Sequence, residues 1–170
     1  GLFNGTAATT FSPDSQMTRA MLVTVLYRLE GSPAGTGGTA TAAGSGSFTD
    51  VKDGQWYTDA VTWASANGIA AGMGNGLFGT DSNVTREQLA TILYNYANYK
   101  GYDIAITAAA GIDSFDDAPA VSAWAQTPVK WANGEKLITG RTADTLAPGG
   151  SASRAEVATI LQRFVQGVAK

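Results

Sequence analysis

An apolar stripe at helical spacing is written three times along this chain. Leu22, Val25, Leu26 and Leu29 set it, Leu89, Ile92, Leu93 and Tyr96 repeat it, and Val157, Ile160, Leu161 and Phe164 complete the series. Residues at i, i+3, i+4 and i+7 share one face of an α-helix, so each set predicts a helix with a single buried side. Each stripe follows a hydroxyl residue and an arginine, as Thr18-Arg19, Thr85-Arg86 and Ser153-Arg154. The hydroxyls are natural N-caps. Gln88 and Glu156, three residues on, complete a capping box that the first copy, with Met21, lacks. Gly31, Gly101 and Gly167 are candidate C-terminal stops.

Two more helices are predicted ahead of the second and third arginines. Phe48-Thr49-Asp50-Val51 leads through Trp56 to Val61, Trp63, Ala64 and Ile69, and Phe115-Asp116-Asp117-Ala118 leads through Trp124 to Val129, Trp131, Ala132 and Leu137. Trp63 and Trp131 stand deepest in the apolar pattern and are expected in the core. Pro128 stands where the earlier copy has Ala60, so this helix is expected to start late or kink there. The arginines at 19, 86 and 154 keep spacings of 67 and 68 residues, the mark of similar units packed on one another. The first copy lacks the leading helix, because Gly1-Leu2-Phe3-Asn4-Gly5 aligns with Gly68-Ile69-Ala70-Ala71-Gly72. Two and a half units are therefore expected, with the missing helix either removed or supplied by a neighbouring molecule. Gly31 to Ser47 reads as a flexible connector, and Lys100 to Ser114 as a second, with a short extended piece at Ile104-Ala105-Ile106.

Composition narrows the chemistry. A hydrophobic content of 44% fits a folded core, and no run approaches the roughly 20 apolar residues of a spanning helix. With neither cysteine nor histidine, disulfides, thiolate or imidazole metal sites and imidazole-dependent catalysis are excluded. No cofactor, no metal site and no catalytic residue is expected. A net charge of −3 opposes general nucleic-acid binding, so an anionic partner must be caught by local cations. Asp50, Asp53, Asp116 and Asp117 could supply the acid and base of a glycosidase. Their places beside helix starts are accounted for by capping, and the chain is read as no enzyme.

The ordered recurrence of these motifs resembles tandem S-layer homology (SLH) repeats. The second copy carries Phe48-Thr49-Asp50-Val51, Trp56, Gly68-Ile69-Ala70-Ala71-Gly72, Asn75-Gly76-Leu77-Phe78 and Thr85-Arg86-Glu87. The third carries Phe115-Asp116-Asp117, Trp124, Leu137-Ile138-Thr139-Gly140, Leu146-Ala147-Pro148 and Ser153-Arg154-Ala155-Glu156. The first retains Phe3-Asn4-Gly5, Phe11-Ser12-Pro13 and Thr18-Arg19-Ala20. Departures are Lys136 in place of Gly68, a third loop without the Asn-Gly pair, and Gly79 where a larger residue is common; they put equivalence of the three grooves in question.

The resemblance implies an all-α fold, a pseudo-three-fold spindle of helix-loop-helix repeats around a central bundle, with the first repeat incomplete. It divides the chain into residues 1–31 (the second half of repeat 1), a connector at 32–47, repeat 2 at 48–101, a connector at 102–114 and repeat 3 at 115–170, together one compact domain. It also implies an extracellular place at the bacterial cell wall or S-layer, anchored non-covalently to secondary cell-wall polysaccharide bearing a pyruvylated amino sugar. Neither nucleic acid nor membrane insertion is expected. The alternative is a protein–protein assembly module that self-associates by helix exchange.

An arginine just after an N-cap sits where free helix N–H groups and the positive dipole end converge, and its planar fork matches a carboxylate. Arg86, Arg154 and Arg19 are therefore the leading ligand-binding candidates. An internal salt bridge to Asp50, Asp117 or Glu87 is the competing role. Asp50, Asp117, Gly72 and Gly140 complete the candidate grooves, the two glycines serving either a positive φ or tight turn or a close backbone approach to the saccharide, and Trp56 and Trp124 could stack on a sugar face or staple a helix to the core. On this reading Arg86→Ala weakens wall binding and leaves helicity nearly intact.

Overall fold

The computed structural model describes residues 2–5, 9–33, 48–107 and 111–169. Among them are five α-helices: α1 (Arg19–Leu29), α2 (Thr58–Ala66), α3 (Arg86–Lys100), α4 (Gln126–Gly134) and α5 (Arg154–Gly167). Three single 3-10 turns at Ile112–Ser114, Ala118–Ala120 and Ala123–Ala125 lead into α4. The described backbone forms isolated bridges but no strand, so the fold is all-α, with each helix where the apolar stripes place it. Ile104 to Ile106 take no regular structure, and most of the first connector lies outside the described residues.

The helix ends follow the cap chemistry. Thr18 accepts the N–H of Met21, while Thr85 with Gln88 and Ser153 with Glu156 form reciprocal capping boxes. Gly101 closes α3 in the left-handed conformation, with φ 71°. Gly167 does not act as a stop. It is the last residue of α5, and the N–H groups of Val168 and Ala169 both reach the Phe164 carbonyl, ending the helix without a left-handed residue.

Pro128 corrects a second expectation. α4 begins at Gln126, 68 residues after α2 begins at Thr58, so the helix does not start late. The proline is its third residue, where an N–H would have no partner one turn back, and the missing donor costs no helical hydrogen bond.

The chain forms two compact units, Gly1–Ser12 with Met17–Asn83, and Pro13–Gln16 with Val84–Lys170. In the first, α1 packs on α2, with Tyr27 tilted against the buried Trp63 at 5.7 Å between ring centres. In the second, α3 packs on α4 through the corresponding pair, Tyr94 and Trp131, at 5.5 Å. Phe164 of α5 joins this cluster, 6.5 Å from Trp131 and 5.7 Å from Tyr96. Trp131, Phe164, Leu89, Leu93 and Val157 are fully buried, and each such side chain contributes about 1.5–3 kcal/mol by leaving water.

Candidate functional site

Each unit uses a motif arginine and a motif aspartate on one loop residue. In the first unit, Arg19 Nε donates to the Phe78 carbonyl at 3.0 Å and Nη2 to the Ala71 carbonyl at 2.6 Å. Asp50 holds the same loop from the other side, accepting the N–H groups of Phe78, Gly79 and Thr80 at 2.8, 2.7 and 3.0 Å. The guanidinium also lies over the Phe78 ring, 4.9 Å from its centre. The second unit repeats the device. Arg86 Nε donates to the Leu146 carbonyl at 2.8 Å and Nη2 to that of Thr139, while Asp117 accepts the N–H groups of Leu146 and Ala147, each at 2.7 Å. Phe78 and Leu146 are thus gripped at both carbonyl and amide.

The open helix N-terminus expected at each arginine is already occupied. The N–H groups of Arg19 and Ala20 donate to the carbonyls of Ser82 and Thr80, and those of Arg86 and Glu87 to Gly150 and Pro148. Those of Arg154 and Ala155 go to Ser15 and Pro13. The third N–H of each helix goes to its capping hydroxyl. With the first-turn donors engaged by loop carbonyls, the dipole serves the loops. Arg19, Arg86 and Arg154 are each only 5% exposed. Burial lowers the guanidinium pKa of both Arg19 and Arg86; the positive charge of Arg141 adds to this at Arg86, and nearby carboxylates oppose it in both.

Glu87, a competing partner for the arginine, accepts instead from the Ser122 N–H at 2.9 Å and the Ser122 hydroxyl at 3.0 Å, fixing the approach to α4. Gly72 and Gly140 are required by close packing. A methyl group on Gly72 would lie 2.6 Å from the Phe48 ring and 2.8 Å from the Leu77 carbonyl, and one on Gly140 would lie 2.6 Å from the Phe115 ring. Ser12, Gly79 and Ala147, in register after Phe11, Phe78 and Leu146, all take positive φ (54°, 81° and 54°), so the glycine relieves a strain the other copies carry. Trp56 and Trp124 are 57% and 56% exposed, which removes the core-staple role, and Trp56 meets Tyr57 at right angles with 5.2 Å between ring centres. Trp63 and Trp131 are buried as expected.

Beside Arg86 lies a hollow of which the motifs named two lining residues as candidates, Arg86 and Gly140. A cleft of about 360 Å³ is lined by Arg86, Thr139, Gly140, Arg141, Glu156 and Arg163, with Leu137, Ile160 and Thr159 among its walls. Arg86 presents Nη1 toward Glu156 at 3.6 Å. Arg141 Nη2 meets both oxygens of Glu156, at 3.0 and 3.1 Å. Arg163 is tethered by a 3.3 Å bond to the Lys136 carbonyl. Partial burial alone would raise the Glu156 carboxyl; the Ser153 N–H and the two arginines outweigh it and hold it below the ordinary value. Arg141 and Arg163 carry no repeat signature, because the matching positions of the second copy hold Met73 and Asn95, whereas Glu156 shares its capping place with Gln88.

The aspartate grip gives a stability test. Partial burial would raise the Asp50 carboxyl, but its three N–H donors prevail and hold it below its usual 3.8. A depressed folded value means stability that is present above 3.8 and lost as pH falls through the folded value. Asp50→Asn should lower stability by about 1–3 kcal/mol at neutral pH and flatten the acid limb of a plot of Tm against pH. An acid limb unchanged from the parent would show that the loop amides do not depend on the charge.

Comparison with known proteins accords with this architecture. The family model for the S-layer homology domain matches residues 47–90 and 114–158, together more than half of the chain. Exoglucanase XynX of Acetivibrio thermocellus is 32% identical over 97% of the chain, the match covering 14% of that protein. The surface-layer 125 kDa protein of Lysinibacillus sphaericus is 27% identical over 99% of the chain and 13% of its own length. The cellulosome-anchoring protein of Acetivibrio thermocellus is 24% identical over 92% of the chain and 33% of its own length. The chain therefore spans a third or less of each of these relatives. Two family matches in tandem, which take in Asp50, Arg86 and Asp117, make this chain a member of the S-layer homology domain family.

Proposed function

We propose that the chain fastens the protein that carries it to the outside of the bacterial cell envelope, and that the cleft beside Arg86 receives the anionic group of a wall polysaccharide. The observation that carries this reading is the cleft itself. Three arginines and one carboxylate line a single hollow within the size range of small-ligand sites. Arg86 supplies a fixed charge in the wall, while Arg141, with a side chain 39% exposed, can turn its fork toward a ligand carboxylate. A pyruvylated amino sugar fits this set, offering a carboxylate to the guanidinium groups and hydroxyls to Thr159 and the loop carbonyls. Trp56 and Trp124, each within its own unit, offer exposed aromatic surface on which a sugar ring can stack. Relatives named for the surface layer and for cellulosome anchoring support the envelope location. The exoglucanase matches over a small share of its length, which suits a module that accompanies catalysis and performs none.

The double variant Arg141→Ala/Arg163→Ala tests the site without touching the buried grip. Its retention on purified cell walls should fall roughly tenfold or more, the scale of losing a partly desolvated charge-assisted contact, with the melting temperature nearly unchanged. Walls stripped of the pyruvylated polymer should retain neither protein. Equal retention of parent and variant on intact walls would remove the cleft from the binding site.

A further inference from the structure

We propose that Glu156 is a resident counter-ion that holds the place of the ligand's anionic group and sets the charge selectivity of the cleft; this rests on the function proposed above. Glu156 is the cleft carboxylate between Arg86 Nη1, at 3.6 Å, and Arg141 Nη2, at 3.0 Å. An entering carboxylate seeks the same forks, so it competes with Glu156 before it gains an ion pair. Arg86 is held by two carbonyls and stays in place, whereas Arg141 and Glu156 are both about one-third exposed and are the pair that can part.

The negative charge at 156 is not required by the helix cap. Gln88, at the matching position of α3, completes the same capping box with an uncharged amide, its Oε1 accepting the Thr85 N–H at 3.3 Å. Met21, at the matching position of α1, dispenses with the box. In sequence, only the copy with a glutamate here carries an arginine in its own loop, because Arg141 is matched by Met73 in the second copy and by Thr6 in the first. Charge at 156 and charge at 141 occur together, which ties Glu156 to the cleft in addition to its helix. Arg141 is also fastened to the Ser151 carbonyl at 2.9 Å, so its loss of Glu156 would not leave it adrift.

The experiment is calorimetric titration of the full chain with a pyruvyl-ketal disaccharide and with its uncharged methyl ester. Glu156→Gln, which keeps the capping box as Gln88 does, should bind the acid about fivefold more tightly, the scale of one partly exposed ion pair. Its affinity for the ester should not change, and the gain should vanish when Arg141→Met is added. Acid affinity that is unchanged or weaker in Glu156→Gln, with the melting temperature preserved, overturns the counter-ion role while leaving the wall-binding reading intact. A parent protein that binds acid and ester alike, or binds neither, overturns both.

Discussion

Arg86→Ala is expected to melt about 10 °C below the parent, with the loss seated in the second compact unit. The substitution leaves the Thr139 and Leu146 carbonyls without their donor and Glu156 without one of its two cations. Leaving buried polar partners unmatched costs about 3–5 kcal/mol in all, and a chain of this length loses about 2–4 °C per kcal/mol. This reverses the expectation from sequence alone, in which the helices survive the change untouched. Arg86→Lys should recover only part of the loss, since an ammonium cannot span two carbonyls and a carboxylate with a planar fork. Thermal unfolding followed by circular dichroism provides the measurement. A parent-like melt combined with lost wall retention would identify Arg86 as a ligand contact with no structural duty.

Trp131→Ala should be comparably damaging, costing about 3–5 kcal/mol for the vacated aromatic volume. Trp131 is fully buried, meets Tyr94 and Phe164 edge-on, and donates Nε1 to the Asp103 carbonyl at 3.3 Å. The chain leaving α4 runs directly into Leu137, Thr139, Gly140 and Arg141, one wall of the cleft. Wall retention should therefore fall with stability, and Trp131→Phe should restore most of both. A denaturant titration resolves the stability change. A loss under 1 kcal/mol would mean that the cluster repacks around the gap.

The sequence was most legible where one residue type answers to one local rule. Helical stripes, hydroxyl caps and capping boxes depend on neighbours within four positions, and they stand where the pattern places them. Pro128 and Gly167 misled because each rule has a second solution: a proline fits a first turn, and a helix can end with two amides on one carbonyl. The arginines were legible as special, but their partners were not. Phe78 and Leu146 lie 59 and 60 residues from the guanidinium groups that hold them, and a backbone carbonyl has no letter of its own in a sequence. Of the cleft, Arg86 and Gly140 were legible and its other two arginines were not. Arg141 and Arg163 break the repeat, so a reading guided by periodicity passed over the residues that distinguish the third copy.

The grip of one repeat's arginine on the following repeat's loop has a consequence for how such chains can be cut and joined. Arg19 belongs to the motif of the first copy and holds Ala71 and Phe78; Arg86 belongs to the second and holds Thr139 and Leu146. The compact units change over between Asn83 and Val84, midway through the second copy, immediately ahead of the next arginine. What the eye reads as one period and what the backbone closes as one lobe are offset by half a repeat. A chimera spliced at the connectors would strand the Arg19 and Arg86 guanidiniums from their carbonyls, whereas a junction drawn just before Thr85 would carry both of these clasps across whole.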